Sequence, residues 1–159
     1  MRPVIVIDSR EQQPFTFTRL EAVRGTLTSG DYSFAGGEQV FAVERKSLDD
    51  LTGCCTGERE RFERELHRLR GFRFARLLIV GTPEQIQRQE YKSNVTPKAV
   101  LHSLAAWEAR FIPVVFSPTP AGAARQVETW AYWFAREAVE TTNALLRAQR
   151  ATSTEESTT

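Results

Sequence analysis

Two stretches of this chain have no polar face. Val4-Ile5-Val6-Ile7 runs into Asp8, and Leu77-Leu78-Ile79-Val80 closes a segment that begins at Phe74. A strand apolar on both sides belongs in the interior of a sheet whose two faces are covered. The rest of the pattern supplies the covers. Phe62, Leu66 and Leu69 mark the inner stripe of a charged helix over 58–70, and Gly71 ends it. Pro83 and Pro97 open two more helices, reaching about Glu90 and Arg110. Residues 112–116 read as the last strand. Thr119 or Pro120 then starts a long helix with Ala123, Val127, Trp130, Phe134, Ala138, Thr142 and Leu145 on one stripe. Strands alternating with helices imply an α/β fold with a mixed β-sheet flanked by helices. Residues 12–24 are ambiguous, although Phe15 and Phe17 alternate as in a strand. From about Ala148 the composition turns to Thr, Ser and Glu without large apolar residues. The expected organisation is one domain over 1–147 and a disordered tail over 148–159.

The chemistry concentrates in one predicted hairpin. Residues 31–35 read as its first strand, Gly36-Gly37-Glu38 as its turn, and 39–46 as its second strand, carrying Val40, Phe41 and Val43. A turn centred on Gly37-Glu38 sets Asp31 across from Glu44. Directly opposed residues in an antiparallel pair share a face. Lys46 follows Glu44 by two residues and shares that face too, while Arg45 starts on the other. A slip of one residue would undo this arrangement. Two carboxylates beside a turn suit Mg²⁺ or Mn²⁺, which take hard oxygen ligands. Lys46 can orient or deprotonate a water, or offset charge on a phosphorane-like transition state. The bland alternative is a surface hairpin with Glu44, Arg45 and Lys46 merely solvated. Against it, the three charges end an apolar strand, and Gly30-Asp31-Tyr32 stands at matching distance.

These motifs resemble the XPF family of structure-specific DNA endonucleases, whose pattern is Gly-Asp-Tyr followed by Glu-Arg-Lys, three variable residues and Asp. Here the residues are Gly30-Asp31-Tyr32 and Glu44-Arg45-Lys46-Ser47-Leu48-Asp49-Asp50. The family's strand ending Asp-x-Arg-Glu is matched by Asp8-Ser9-Arg10-Glu11, and its apolar central strand by Leu77-Leu78-Ile79-Val80. The resemblance spans roughly residues 3 to 118. It implies a restriction-endonuclease-like nuclease fold. It implies that Asp31 and Glu44 are the principal metal ligands, with Asp8 a third acidic group and Mg²⁺ or Mn²⁺ the ion. Lys46 becomes the catalytic lysine, Arg45 contacts the phosphate backbone or braces the site, and Asp50 supports the following helix. Arg10 and Glu11 match the strand end. Relatives that only bind partners have lost the acidic motif, which this chain keeps. Relatives also carry tandem helix-hairpin-helix modules, which are not seen after Pro118, and some carry a helicase domain. A helicase or helix-hairpin-helix partner is therefore expected to guide substrate choice.

Composition sets outer limits. With 159 residues, 41% hydrophobic and 26% charged, the chain can bury the core of one globular domain. No apolar run reaches membrane-spanning length, and no secretory segment follows Met1-Arg2, so a cytoplasmic location is expected, nucleoid-associated in a prokaryote. Adjacent Cys54 and Cys55 read as small buried residues. His67 and His102 lack partners at zinc spacing. A net charge of +1 does not announce a nucleic-acid binder. Arginine far outnumbers lysine, which fits bidentate phosphate contacts and equally fits a GC-rich coding sequence. Arg61 and Arg64, interleaved with glutamates, read as solvated helix ion pairs. Arg70, Arg73 and Arg76 lack local acids and read as phosphate contacts beside the site. Tyr132 and Trp133 widen the apolar arc of the long helix, as expected of a homodimer interface; base stacking on single-stranded DNA competes with that reading.

The expected function is a metal-dependent DNA endonuclease acting on branched or structured DNA in repair or recombination. The alternative is a non-catalytic DNA-binding or assembly subunit, and the physics alone leaves RNA open as a substrate.

Overall fold

The computed structural model describes residues 1–156. Six strands form one sheet, in the order β2-β1-β3-β4-β5-β6. They are β1 (Ile5–Asp8), β2 (Ala22–Gly25), β3 (Tyr32–Phe34), β4 (Phe41–Ser47), β5 (Phe74–Val80) and β6 (Val114–Ser117). The helices are α1 (Leu48–Cys54), α2 (Arg59–Arg70), α3 (Pro83–Gln87), α4 (Pro97–Arg110) and α5 (Pro120–Glu156). The sheet is mixed. β1 runs antiparallel to β3, and β3 antiparallel to β4. The β1–β2, β4–β5 and β5–β6 pairs are parallel.

Strand parity divides the interior into two cores. On one face, Ala75, Leu77 and Ile79 meet Leu51 of α1, Phe62, Leu66 and Leu69 of α2, and Trp107 of α4. On the other, Phe41, Val43 and Leu78 meet Ala123, Val127, Ala131 and Ala135 of α5. The buried stripe of α5 is therefore mostly alanine, and Trp130 and Phe134 sit half-buried at its borders. Small residues let the helix axis approach the sheet, and the aromatics close the sides. Phe74 stacks on Phe41 at 4.6 Å and meets Trp130 at 5.7 Å.

The helix starts follow local chemistry. Ser47 caps α1 by accepting from the Asp50 amide at 3.1 Å. Thr82 and Gln85 form a reciprocal capping box ahead of Pro83, and Thr96 caps α4 ahead of Pro97. Several boundaries differ from the sequence expectation. α3 stops at Gln87, not near Glu90, and β6 begins at Val114, after Pro113. β2 was not foreseen: it is an exposed edge strand with no apolar pattern, specified by pairing with β1. Cys54 is buried as expected, but Cys55 is only partly so, and neither is bonded to the other. α5 stays helical past Ala148, where composition set the boundary, to Glu156; the end of the expected tail, residues 157–159, lies outside the described residues.

One long-range tie fixes the segment after β1. Glu128 of α5 is 2% exposed, and its Oε1 accepts from the amides of Thr18, Arg19 and Leu20 at 3.0, 2.8 and 3.0 Å. Among the described helices, none is long and apolar enough to cross a membrane.

Candidate active site

The hairpin register is the one the sequence predicts. Tyr32 pairs with Val43, which sets Asp31 opposite Glu44. Ile7 pairs with Tyr32 on the other side, so Asp8 lies opposite Asp31. The Asp8 amide donates to Asp31 O, and the Asp31 amide to Val43 O, each at 2.9 Å. Asp8, Asp31 and Glu44 thus form a row across three neighbouring strands, on the face that carries α2. Lys46 stands one step along β4 on the same face, its Nζ 3.2 Å from Glu44 Oε1 and 5.2 Å from the Phe62 ring centre.

Each member of the row is held differently. Asp31 Oδ2 accepts from the Arg45 amide at 2.8 Å. Burial pushes the Asp31 carboxyl up to about 6, with the charges of Glu11 and Asp8 adding to the rise against the Arg45 amide and Lys46. Glu44 is 7% exposed; burial and then the charge of Asp31 push it up to about 8, against Lys46. Burial works against the Lys46 ammonium, yet the facing Glu44 holds its pKa above the ordinary lysine value. Asp8 behaves in the opposite sense. Burial would raise it, but the Arg10 guanidinium and the Leu27 amide outweigh that and hold it below the usual carboxylate range. Its Oδ2 accepts from Arg10 Nε at 2.7 Å and its Oδ1 from the Leu27 amide at 3.0 Å. Asp8, expected as a third metal-site acid, stands in the row, and its two oxygens also brace Arg10 and the 27 loop.

Arg45 projects to the opposite face, as alternation requires. Its guanidinium lies 4.4 Å from the centre of the Phe15 ring and donates to Gln13 O. Its side chain thereby supports the segment beside the site, while its amide supports Asp31.

The row opens into a cleft of about 920 Å³. Its lining carries cations that the sequence did not single out, Arg68 from α2 and Lys92 from the loop after α3, together with Arg10. Lys92 arrives there because its amide donates to Asp49 Oδ1 at 2.8 Å, a contact with no sequence signal. Glu65 was also missed. It lies three residues after Phe62, on the inner half of α2, and that spacing was the available clue. The structure does not bring Arg70, Arg73 or Arg76 to the cleft. The Arg76 guanidinium packs 4.1 Å over Phe74, and that of Arg73 5.3 Å over Phe134. Arg76 pairs in register with Val43, so strand parity turns it to the α5 face, away from Glu44.

Among the described residues, no three His, Cys, Asp or Glu side chains are placed to hold a metal ion by themselves. The donors that remain suit a hard divalent cation. Asp31 Oδ1 and Glu44 Oε2 are without hydrogen bonds among the described residues, and the two carboxyls repel each other. Mg²⁺ commonly uses one or two carboxylates and completes its shell with water and phosphate oxygens.

A mixed sheet covered by helices on both faces, with an acidic row and a lysine at a strand end, defines a restriction-endonuclease-like nuclease fold. The chain belongs to the ERCC4 domain family, the family of XPF nuclease domains: the ERCC4 domain model matches residues 7–129, from β1 into α5. Among solved structures it is similar to XPF from Aeropyrum pernix, with a TM-score of 0.64 and 18% identity, covering 82% of this chain and 61% of that one. It is also similar to XPF from Aeropyrum pernix in complex with DNA, at a TM-score of 0.63 and 18% identity over 86% of this chain and 66% of that one. At such identity the likeness is one of fold, and this chain spans less than two thirds of those proteins. No curated protein matches it.

Proposed function

We propose that this chain is a Mg²⁺- or Mn²⁺-dependent endonuclease that hydrolyses phosphodiester bonds in DNA, in branched or structured substrates during repair or recombination. The observation that carries the reading is the pairing of Asp31 with Glu44, with Lys46 Nζ 3.2 Å from the latter, in one open cleft. The DNA-bound form of XPF from Aeropyrum pernix supports DNA as the substrate class.

Asp31 and Glu44 would hold the ion, one oxygen each facing the cleft. A bound Mg²⁺ or Mn²⁺ supplies Lewis-acid polarisation of the phosphate and a more acidic water. The chain's own residues do the rest. Lys46, held as an ammonium, orients the attacking water and faces the charge that builds on the phosphate oxygens. Arg10, steadied by Asp8, joins Arg68 and Lys92 in gripping the backbone from both walls. Arg45 fixes the Gln13 wall and the Asp31 carboxylate. Substrate choice is left to a helicase or helix-hairpin-helix partner, and the chain works in the cytoplasm or on the nucleoid. It pairs as a homodimer through the α5 face at Tyr132 and Trp133, where Trp133 is 58% exposed.

The deciding experiment incubates the purified chain with forks, flaps, bubbles and plain duplex, with Mg²⁺, with Mn²⁺ and with chelator. Metal-dependent cutting of a branched DNA is the expected result. Binding without cutting under every condition would establish the non-catalytic subunit instead.

A further inference from the structure

We propose that Glu65 of α2 is a positioning residue for the Asp31 carboxylate and strengthens divalent-cation binding there from outside the ligand set; the inference rests on the nuclease reading above. The hairpin itself fixes only one side of Asp31. From Asp31 onward the backbone is bonded on both edges, to Val43 O and from the Asp8 amide. The peptide before it is different. Gly30 has φ +78°, and a Cβ there would stand 3.1 Å from Ala42 Cβ and 3.3 Å from Val43 O. The turn is thus pressed against β4, in a backbone conformation that only glycine adopts freely. Its amide donates to Glu65 Oε1 at 3.2 Å, and this bond joins α2 to the residue immediately before Asp31. The angle at which Asp31 leaves the turn therefore depends on the seat of Glu65.

Charge makes the choice of residue informative. A neutral acceptor could also take the hydrogen bond, though more weakly. Glu65 instead places a further negative charge where it acts unfavourably on Glu44. Arg68 pairs with its other oxygen and keeps it in place. A carboxylate kept beside two others gains its return when a divalent cation enters. Groups that orient a ligand from behind commonly change metal affinity roughly ten- to a hundredfold when removed.

The test compares the full chain with Glu65→Ala and Glu65→Gln, using Mn²⁺ alone as the calorimetric probe and the Gly30 amide exchange rate by NMR as a second readout. In Glu65→Ala, Mn²⁺ affinity is expected to fall roughly tenfold or more, with faster exchange at Gly30. Glu65→Gln keeps an acceptor, so Gly30 stays protected while affinity falls by a smaller factor. Wild-type Mn²⁺ affinity in Glu65→Ala overturns the inference. Should that variant not fold, wild-type affinity in Glu65→Gln overturns the charge contribution just as directly. Wild-type protein that binds Mn²⁺ but cuts no DNA defeats the nuclease reading and leaves the Glu65 inference standing. Wild-type protein that binds no Mn²⁺ defeats both.

Discussion

If Asp31 and Glu44 hold one cation between them, as proposed, neither can be spared. Asp31→Ala and Glu44→Ala are each expected to lower cleavage by roughly a thousandfold, the scale of several kcal/mol of lost Lewis-acid stabilisation. Circular dichroism should show the fold retained, and near-wild-type turnover in Asp31→Ala would sink the assignment. Lys46→Ala should lower turnover sharply with Mn²⁺ affinity nearly intact if, as proposed, its ammonium acts on water and phosphate; a lost calorimetric signal would make Lys46 structural. The same pair predicts a pH dependence without metal. Both carboxyls sit above their ordinary values, at about 6 and about 8. The folded state therefore binds protons more tightly than the unfolded one. The stability this lends is complete below the ordinary carboxylate range and is lost as pH rises through those two values. Metal-free protein should melt at a lower temperature near pH 8 than near pH 5, and Mg²⁺ should restore most at the alkaline end. Differential scanning fluorimetry checks this; a flat metal-free profile would refute it. Asp8, held low by Arg10, works in the opposite sense: its stabilisation is present above the ordinary carboxylate range and is lost as the pH falls into acid.

At the scale of the element, the two cationic groups separate cleanly. Arg68 of α2 and Lys92 of the loop after α3 line the cleft, whereas Arg73 and Arg76 cover aromatic rings under α5. Arg68→Ala and Lys92→Ala should each weaken DNA binding and reduce the salt slope by about one. Arg73→Glu with Arg76→Glu should leave the slope unchanged and lower the melting temperature. Anisotropy titrations across salt would reverse the assignment if only the second pair moved the slope. This division also marks how far the site could be read beforehand. The row was legible because alternation and a glycine turn fix a hairpin register from local residues alone. Phe74 to Val80 and Pro97 to Arg110 were legible from an unbroken apolar run and a proline start. Arg76 lies away from the cleft because its facing depends on the pairing of β5 with β4, and Arg73 because it packs over Phe134 of α5, both contacts between distant residues. Lys92 and Glu128 are positioned by bonds that no local pattern announces. β2 escaped notice because an edge strand needs little apolar content of its own.

For the whole molecule, the α5 face is the surface left to explain. Trp133 is 58% exposed and packs edge-on against Tyr132 at 5.4 Å, with Val139 exposed further along the helix. A second copy meeting this face would cover it by the same residues in return. Wild-type protein should sediment as a dimer at tens of micromolar, a rough limit for a specific pair. Tyr132→Glu with Trp133→Glu should sediment as a monomer. A monomeric wild type refutes the dimer, and a dimeric double variant moves the interface elsewhere.

The Glu128 tie has a consequence in time. Every acid of the row lies within the first 44 residues, so a growing chain presents them early. Arg45 and Tyr32 hold the Gln13–Phe15 segment at the wall of the cleft, but residues 18–20 that continue from it gain their bonds to Glu128 only once residue 128 has emerged and α5 has docked. This tie is thus made only after the acids of the row, strands β1 to β6 and most of the cleft's lining have been synthesised. A chain released at Ser117 in cell-free translation is expected to show no cleavage, and cutting by that fragment would show the tie to be dispensable.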